Sequence, residues 1–317
     1  MRSLKDHLED YRLTYFVYNM LHQKQLEKNR SAYKKFGLRK NICSSISYKD
    51  LKDLPGEKPW LDTQSLKNIA TTHDDFKKLP ATIQDSIINW SENGYAILPS
   101  LFAENEVGQI NEEIETLLNK GTVQWQYNKR KVMFAYRHSE LIRNILDKPE
   151  LNQTLRFLLG KPVDLFSSIN FYKGSEQLPH SDSIHMSTHP EGYLIAIWIA
   201  LEDIEEGSGP LTYYPGSHKL PYIHCGDIGA EGGFLKMDSA PYNKYEERIE
   251  ELLAKEELKS ETFLPRKGDV LIWHANLLHG GSPVTNPDRT RKSMVLHYYA
   301  QDVICYHEIS QRPTLWP

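Results

Sequence analysis

Two short segments, about a hundred residues apart, constrain the fold of this chain more than any other feature. The first contains His180-Ser-Asp182, and the second contains His279 followed by two glycines. Two imidazoles and one carboxylate on one face of a non-haem Fe(II) ion leave three coordination positions open. If the residues act as one site, the two segments must lie side by side in the folded chain.

The first segment is weak evidence by itself. A histidine followed two positions later by an acidic residue occurs five times in the chain. His180 and Asp182 differ from the other pairs because they follow residues 163–172, which predict a strand with a partly alternating face. Side chains two apart on extended backbone point to the same side, so both could reach one ion. The alternative is a surface-turn histidine with a capping carboxylate.

The second segment adds strands and a basic residue. Residues 268–274 predict a turn that enters a buried strand, and residues 291–299 predict the next strand. Antiparallel pairing of these strands would bring His279 and Arg291 to the same end of one sheet. The planar arginine fork binds carboxylates bidentately, which suits the far carboxylate of a keto acid such as 2-oxoglutarate. The alternatives are a histidine that caps the strand end and an exposed strand arginine.

The order of these motifs resembles that of the phytanoyl-CoA dioxygenase family. The resemblance spans roughly residues 88–300. It rests on His180-x-Asp182, residues 201–211, Pro-Gly-Ser-His at 215–218, Trp-His…His-Gly within 273–280, and Arg291. Members of that family are Fe(II)- and 2-oxoglutarate-dependent oxygenases with a double-stranded β-helix, or jelly-roll, core. The resemblance therefore implies a mainly β fold with flanking helices (α+β).

The resemblance also implies roles for individual residues. It gives His180, Asp182 and His279 as the iron ligands and catalytic residues, and Arg291, Ser282, Trp198 and Lys173 as the cosubstrate-binding residues. The family usually places the arginine 11 residues after the distal histidine, whereas Arg291 is 12 and Arg289 is 10 residues after His279. We prefer Arg291, because it leads directly into the predicted strand.

The retained carboxylate narrows the implied chemistry. The reactants implied are Fe(II), 2-oxoglutarate and O₂, and the products are succinate and CO₂. Halogenases that resemble this family replace the carboxylate with a small residue so that chloride can bind iron, but Asp182 is present here. Hydroxylation of an unactivated C–H bond in a small molecule is favoured, with desaturation, epimerisation and ring closure left open. A cupin-like metal-binding protein or isomerase is the alternative from another class.

The substrate is less constrained by the sequence. Arg137, with Arg130 and Lys173, could bind an anionic group, which would suit a carboxylate or an acyl thioester of coenzyme A, or these residues could equally be surface charges. His185 and His189 follow the first ligand segment and are equally consistent with a substrate pocket or a solvated loop. The remaining histidines near the motifs, His218, His274 and His297, are predicted to be structural.

Composition excludes several other classes. The net charge of −4 and the pI of about 6.4 give no broad basic field for nucleic acid. The three cysteines are widely spaced, which argues against a disulfide framework and indicates a reducing, cytoplasmic location. The N-terminus is too charged for a signal peptide, and no apolar run approaches the roughly 20 residues that span a membrane. The oligomeric state is left open.

The chain divides into two predicted regions. Residues 1–80 form a helical extension that wraps the core, beginning with one long helix over residues 3–36. Residues 81–317 form the jelly-roll domain, with flanking helices predicted at 81–92, 104–119 and 149–159. An insertion at about 220–260 ends in a helical segment, 242–257, and is either a lid over the substrate or a surface elaboration.

Overall fold

The core of the protein is a large antiparallel sheet faced by a smaller one. The computed structural model describes residues 11–233, 236, 238 and 240–317. The strands are β1 Tyr95–Leu98, β2 Trp125–Gln126, β3 Lys131–Met133, β4 Val163–Phe171, β5 Ser187–His189, β6 Leu194–Ala200, β7 Leu211–Tyr213, β8 Glu261–Phe263, β9 Val270–His274, β10 His279–Gly281, β11 Ser293–Ala300, β12 Ile304–His307 and β13 Arg312–Pro313. Within the described residues, the large sheet has the order β1-β9-β6-β11-β4-β3-β2, and the small sheet has the order β10-β7-β8.

Strand β6 shows why the large sheet is covered on both faces. All of its residues are buried, and they alternate between two apolar clusters. Ile195, Ile197 and Ile199 pack against the helices, whereas Ala196, Trp198 and Ala200 pack towards the small sheet. This alternation follows from the two-residue period of a strand. A continuous apolar sequence therefore fits a central strand between a helical layer and a second sheet.

The two sheets and their covering helices confirm the predicted mainly β, jelly-roll fold class. The helices are Arg12–Leu21, Gln23–Leu26, Asn29–Phe36, Tyr48–Leu51, Leu66–Ile69, Asp74–Lys77, Ala81–Ile87, Trp90–Asn93, Glu104–Asn119, Glu140–Leu146, Pro149–Leu159 and Pro241–Lys255. The predicted helices at 104–119 and 149–159 have these bounds in the structure. In the described part of the chain, no helix is long and apolar enough to cross a membrane.

The prediction of one long N-terminal helix is wrong for the residues that the structure describes; residues 3–10 lie outside them. The helix Arg12–Leu21 ends at His22, whose backbone leaves helical geometry, and two shorter helices follow. The last one ends at Gly37, which adopts φ 76°, a conformation that glycine favours at helix C-termini. Leu26 and Tyr33 pack against Ile304 and Tyr306 of β12. The N-terminal segment therefore contacts the end of the chain.

The pairing predicted for the second segment is also wrong. The predicted partners, β9 and β11, are separated by β6 in the large sheet. His279 begins β10 in the small sheet, whereas Arg291 precedes β11. The loop between them passes from one sheet to the other. Both residues nevertheless line the space between the sheets. The sequence indicated their proximity correctly, although the pairing that produces it is different.

Candidate metal centre

His180 and His279 lie directly opposite each other on paired backbone. Each amide donates a hydrogen bond to the other residue's carbonyl, and both bonds are 2.9 Å long. Residues opposite each other in an antiparallel pair point their side chains to the same face. The two imidazole rings accordingly lie with their centroids 4.4 Å apart. The backbone pairing therefore brings the two sequence segments together.

Asp182 joins the two histidines from the same segment as His180. Ser181 between them is extended, and Asp182 begins a short 3₁₀ turn, so the carboxylate lies on the same side as the imidazole. One ligand atom from each of the three residues lies within 4.8 Å of the others, and all three side chains are buried. Histidine and carboxylate ligands lie about 2 Å from a metal ion such as Zn²⁺. The three residues can therefore bind a single ion.

The hydrogen bonds of both histidines occupy Nδ1 and leave Nε2 available to a metal ion. Nδ1 of His180 lies 2.9 Å from the Leu178 carbonyl oxygen, and Nδ1 of His279 lies 3.0 Å from that of Leu277. A carbonyl oxygen only accepts, so each Nδ1 must donate, which leaves Nε2 as the ring nitrogen that can bind a metal. Burial lowers the pKa of His180 to about 4. This imidazole is therefore neutral at pH 7, as a metal ligand must be.

Asp182 is oriented by residues of the large sheet. Trp273 Nε1 donates a 2.7 Å hydrogen bond to Oδ2, and His297 Nε2 lies 3.7 Å from the same oxygen. Burial acts to raise the pKa of Asp182, but His279 and His297 outweigh it and hold the pKa below its usual value. The carboxylate is therefore ionised, with Oδ1 left on the side of His279. Such outer contacts orient metal ligands in proteins.

Arg291 and Trp198 carry polar groups without partners. The Arg291 side chain is only 2 % exposed, one terminal nitrogen donates to Ser293 Oγ at 3.2 Å, and its Nε has no partner among the described residues. Trp198 Nε1 is likewise buried and unpartnered within that part of the chain. Burial lowers the pKa of Arg291 to about 10, which leaves it charged at neutral pH. A buried charge needs an anionic partner.

These groups line one small cleft between the two sheets, which we call the metal-site cavity. It measures about 70 Å³. Its lining includes His180, Asp182, His279, Arg291, Trp198, Trp273, Gln177 and His297. His297 was predicted to be structural, but it lies in the cavity. Arg291, Ser293, Val295 and His297 occupy alternate positions, so strand alternation starting at Arg291 would have found it.

Other predicted site residues lie elsewhere. Lys173 Nζ contacts the carbonyl oxygen of Pro287, and the Ser282 amide donates to the carbonyl of Pro210; neither residue is part of the described cavity lining. Ser293 is the hydroxyl that contacts the arginine instead. Arg289, the alternative arginine, pairs with Glu205.

The three candidate substrate residues lie in different parts of the structure. Arg137 donates to the Phe166 carbonyl and lies over the Phe134 ring, outside the described cavity lining. His189 Nε2 lies 3.1 Å from the Pro55 carbonyl oxygen, against the N-terminal segment. Only His185 lies beside the metal site, with its ring 6.2 Å from that of His180. The side chains of Arg137 and His189 each contact a backbone carbonyl of the fold, and their roles in substrate binding stay predictions.

The insertion contributes residues that the sequence did not single out. Tyr245, on the helix Pro241–Lys255, is fully buried, and its hydroxyl accepts a 2.8 Å hydrogen bond from the Ser181 amide. Tyr242, on the same helix, accepts a hydrogen bond from Gln177 at 3.1 Å. Both contacts hold the segment that carries His180 and Asp182. The insertion is therefore part of the support of the metal site.

Comparisons with known proteins agree with this architecture. A sequence model of the phytanoyl-CoA dioxygenase family matches residues 90–293. A phytanoyl-CoA dioxygenase domain-containing protein 1 from Mus musculus is 27 % identical over 172 residues, which are 50 % of this chain and 53 % of the mouse protein. The chain thus matches about half the length of that relative. An ectoine dioxygenase from Bordetella parapertussis is 24 % identical over 220 residues, covering 64 % of this chain and 71 % of the relative.

Solved structures show the same fold at low sequence identity. The α-ketoglutarate-dependent carbocyclase SnoK from nogalamycin biosynthesis superimposes with a TM-score of 0.57 at 20 % identity, covering 74 % of this chain and 88 % of SnoK. EctD from S. alaskensis with 2-oxoglutarate and 5-hydroxyectoine gives a TM-score of 0.56 at 20 % identity, covering 82 % and 89 %. At these identities, the likeness shows the fold.

Proposed function

The chain belongs to the phytanoyl-CoA dioxygenase family, and from this premise we propose that it is an Fe(II)- and 2-oxoglutarate-dependent dioxygenase. The observation that carries the proposal is the convergence of two kinds of group in one cavity. Two imidazoles and a carboxylate supply an iron ligand set, and a buried arginine whose Nε has no partner among the described residues supplies the anion-binding group.

The residues of the cavity fit both Fe(II) and its cosubstrate. His180 Nε2, His279 Nε2 and Asp182 Oδ1 would hold the ion, and Arg291 would bind the far carboxylate of 2-oxoglutarate. When bound, iron and 2-oxoglutarate supply the oxidising chemistry by which O₂ is activated and succinate and CO₂ are released. Trp273 keeps the carboxylate of Asp182 in position, and Trp198 offers its indole N–H to the cosubstrate.

The substrate we propose is a small organic molecule that is hydroxylated at an unactivated C–H bond. The relative named ectoine dioxygenase supports a small-molecule substrate, and the retained Asp182 supports hydroxylation without halide transfer. Of the three substrate residues predicted from the sequence, His185 is the one beside the site. Because Arg137 is bound to the Phe166 carbonyl, an anionic or acyl-thioester substrate has lost its main support.

The proposal is tested by titrating the purified protein anaerobically with Fe(II) and then with 2-oxoglutarate, following the charge-transfer absorption of the iron chelate. We expect the band in the wild-type protein. Arg291→Leu should weaken 2-oxoglutarate binding by about 30-fold or more, because removing one partner of a buried charged pair costs roughly 2–5 kcal/mol. Arg137→Leu is the matched control, an arginine outside the cavity lining, and should titrate like the wild type.

Two results would contradict the proposal. An Arg291→Leu protein with undiminished 2-oxoglutarate affinity would show that the buried arginine does not bind the cosubstrate. Bound metal without any band would favour the alternative of a cupin-like metal-binding protein, which uses the same ligands without a keto acid.

A further inference from the structure

Strand β4 carries a buried polar side chain on the face opposite the metal site. Asn170 is 4 % exposed, and neither Oδ1 nor Nδ2 of its amide has a hydrogen-bond partner among the described residues. Its neighbours Ile169 and Phe171 line the metal-site cavity. Because side chains alternate along a strand, Asn170 points to the helix-covered face of the large sheet. The amide of Asn170 therefore lies on the other side of β4 from the metal-site cavity.

The surroundings of Asn170 make this amide costly to bury. Val132 of β3 and Met294 of β11 lie opposite Asn170 in the sheet, and both are fully buried. A buried donor or acceptor without a partner costs about 1–3 kcal/mol, and native proteins keep few such groups. A leucine would fill the same position without that cost. A partner supplied from outside the chain would remove that cost at this position.

An open groove lies next to this amide; we call it the outer pocket. It measures about 320 Å³ and lies between the helix Glu104–Asn119 and the outer face of the large sheet. Asn170 lines it together with Trp125 and Tyr172, whose ring centroids are 5.6 Å apart. Asn170 thus borders a space of ligand size that has aromatic walls.

The charges around the outer pocket limit what it can bind. Lys292 and Glu115 are the charged residues of its described lining, and Lys292 Nζ lies 3.7 Å from a Glu115 oxygen, so they compensate each other. The remaining lining is apolar or carries neutral amides. A strongly charged ligand would find no net opposite charge here. The pocket suits a neutral molecule with polar groups along one edge.

We propose that the outer pocket is a second binding site, for a flat, uncharged heterocycle of the nucleobase or cyclic-amide type. A primary amide pairs with an adjacent donor and acceptor on such a ring, as asparagine does with the edge of adenine. Aromatic side chains favour contact with the faces and edges of planar rings. The inference does not rest on the proposed function, because Asn170 is not among the residues that line the metal-site cavity.

The test measures binding of adenosine, nicotinamide and uracil to the full-length protein by calorimetry and by thermal unfolding. We expect at least one of them to bind the wild type and raise its Tm. Asn170→Leu should lower that affinity by about tenfold or more, which corresponds to losing the roughly 1–3 kcal/mol of a buried amide pair. Without ligand, Asn170→Leu should be as stable as the wild type or more stable, because it removes an unpartnered amide.

Two further variants serve as control and as independent check. Ser168 is also on the outer face of β4, fully buried and with an unpartnered hydroxyl in the described structure, but it is not among the residues described as lining the outer pocket. Ser168→Ala should bind the probe like the wild type. Trp125→Leu, at the wall of the pocket, should weaken binding without involving the buried amide. Uncoupled 2-oxoglutarate turnover should be unchanged in all three variants.

Three outcomes would overturn the inference. The class of ligand is wrong if none of the probes binds the wild type. The location is wrong if Asn170→Leu binds the probe undiminished. A lower ligand-free Tm of Asn170→Leu would show that the amide already has a structural partner, such as bound water, and that the outer pocket needs no ligand.

Discussion

Two clusters of histidine and carboxylate side chains differ in how the histidine nitrogens are used. In the first, which we call the metal-site cluster, His180 and His279 each place Nδ1 against a backbone carbonyl and leave Nε2 beside Asp182. In the second, the closed cluster, both nitrogens of His224 face carboxylates: Glu191 at 2.8 Å and Asp227 at 3.1 Å. The second cluster has no ring nitrogen left for a metal ion.

The pKa values of His180 in the metal-site cluster and His224 in the closed cluster shift in opposite directions. Burial lowers the pKa of His180 to about 4, so this ring stays neutral. Burial also acts against the charge on His224, but the hydrogen bond and the charge of Glu191 outweigh it and raise the pKa. Histidine and carboxylate residues close together therefore do not identify a metal site. The partner of the second ring nitrogen decides whether the histidine is a neutral ligand or half of an ion pair.

The largest expected difference between the two clusters appears when one carboxylate is removed from each. Asp182→Ala should lower Fe(II) affinity and 2-oxoglutarate turnover by at least about 100-fold, since losing even an outer contact of a ligand costs about 10–100-fold. Asp227→Ala, in the closed cluster, should leave both unchanged. Equilibrium dialysis with Fe(II) and succinate formation measure the two effects. Equal losses in both variants would show that the comparison does not separate a metal site from an ion pair.

An intermediate effect is expected from the group that orients Asp182. Trp273→Phe keeps the aromatic ring but removes the donor to Asp182 Oδ2, and we expect Fe(II) affinity to fall by about tenfold. Trp316→Phe is the matched control, because Trp316 Nε1 donates to Asn29 in a buried hydrogen bond that is not in the cavity. If the two variants weaken metal binding equally, the indole of Trp273 has no specific part in orienting the ligand.

The smallest expected effect is the pH dependence of the closed cluster. Because its folded pKa is raised, His224 contributes stability that is fully present below the unfolded value of about 6.5 and is lost as the pH rises through the folded pKa. The Tm of His224→Gln should therefore lie below that of the wild type by a few degrees near pH 6, and the gap should narrow towards pH 9. Thermal unfolding across that range measures it. A gap that widens with pH would reverse the sign that we assign.

The sequence identified the family and the fold class, and both predictions are confirmed. It also indicated that His180, Asp182 and His279 meet, because the order of the motifs along the chain can be recognised without knowing how the strands pair. It paired His279 and Arg291 wrongly, since a short loop can join strands of one sheet or cross between two sheets. The ligand roles themselves stay a proposal, as does the division of the chain at residue 80.

The remaining residues depend on side-chain directions that a motif does not contain. Lys173 follows the family pattern, but its side chain contacts the Pro287 carbonyl, and Ser282 is not among the residues that line the metal-site cavity. His297 was hidden by its apolar neighbours in β11, although its alternation with Arg291 places it in the cavity. Tyr245 reaches the site from an insertion, where no local pattern indicates a distant contact. In each case, the location of the side chain depends on tertiary packing, which the motif does not specify.

The backbone pair between His180 and His279 has a consequence for the energetics of ion capture. The two residues are 99 positions apart (279 − 180), and a chelate between ends so distant normally loses the entropy of closing a long loop. Here two amide–carbonyl hydrogen bonds have closed that loop during folding. The entropy of closing that loop therefore no longer opposes ion capture, although the side-chain rotamers must still be ordered. The amide protons of residues 180 and 279 should accordingly exchange slowly with solvent deuterium even before iron is added.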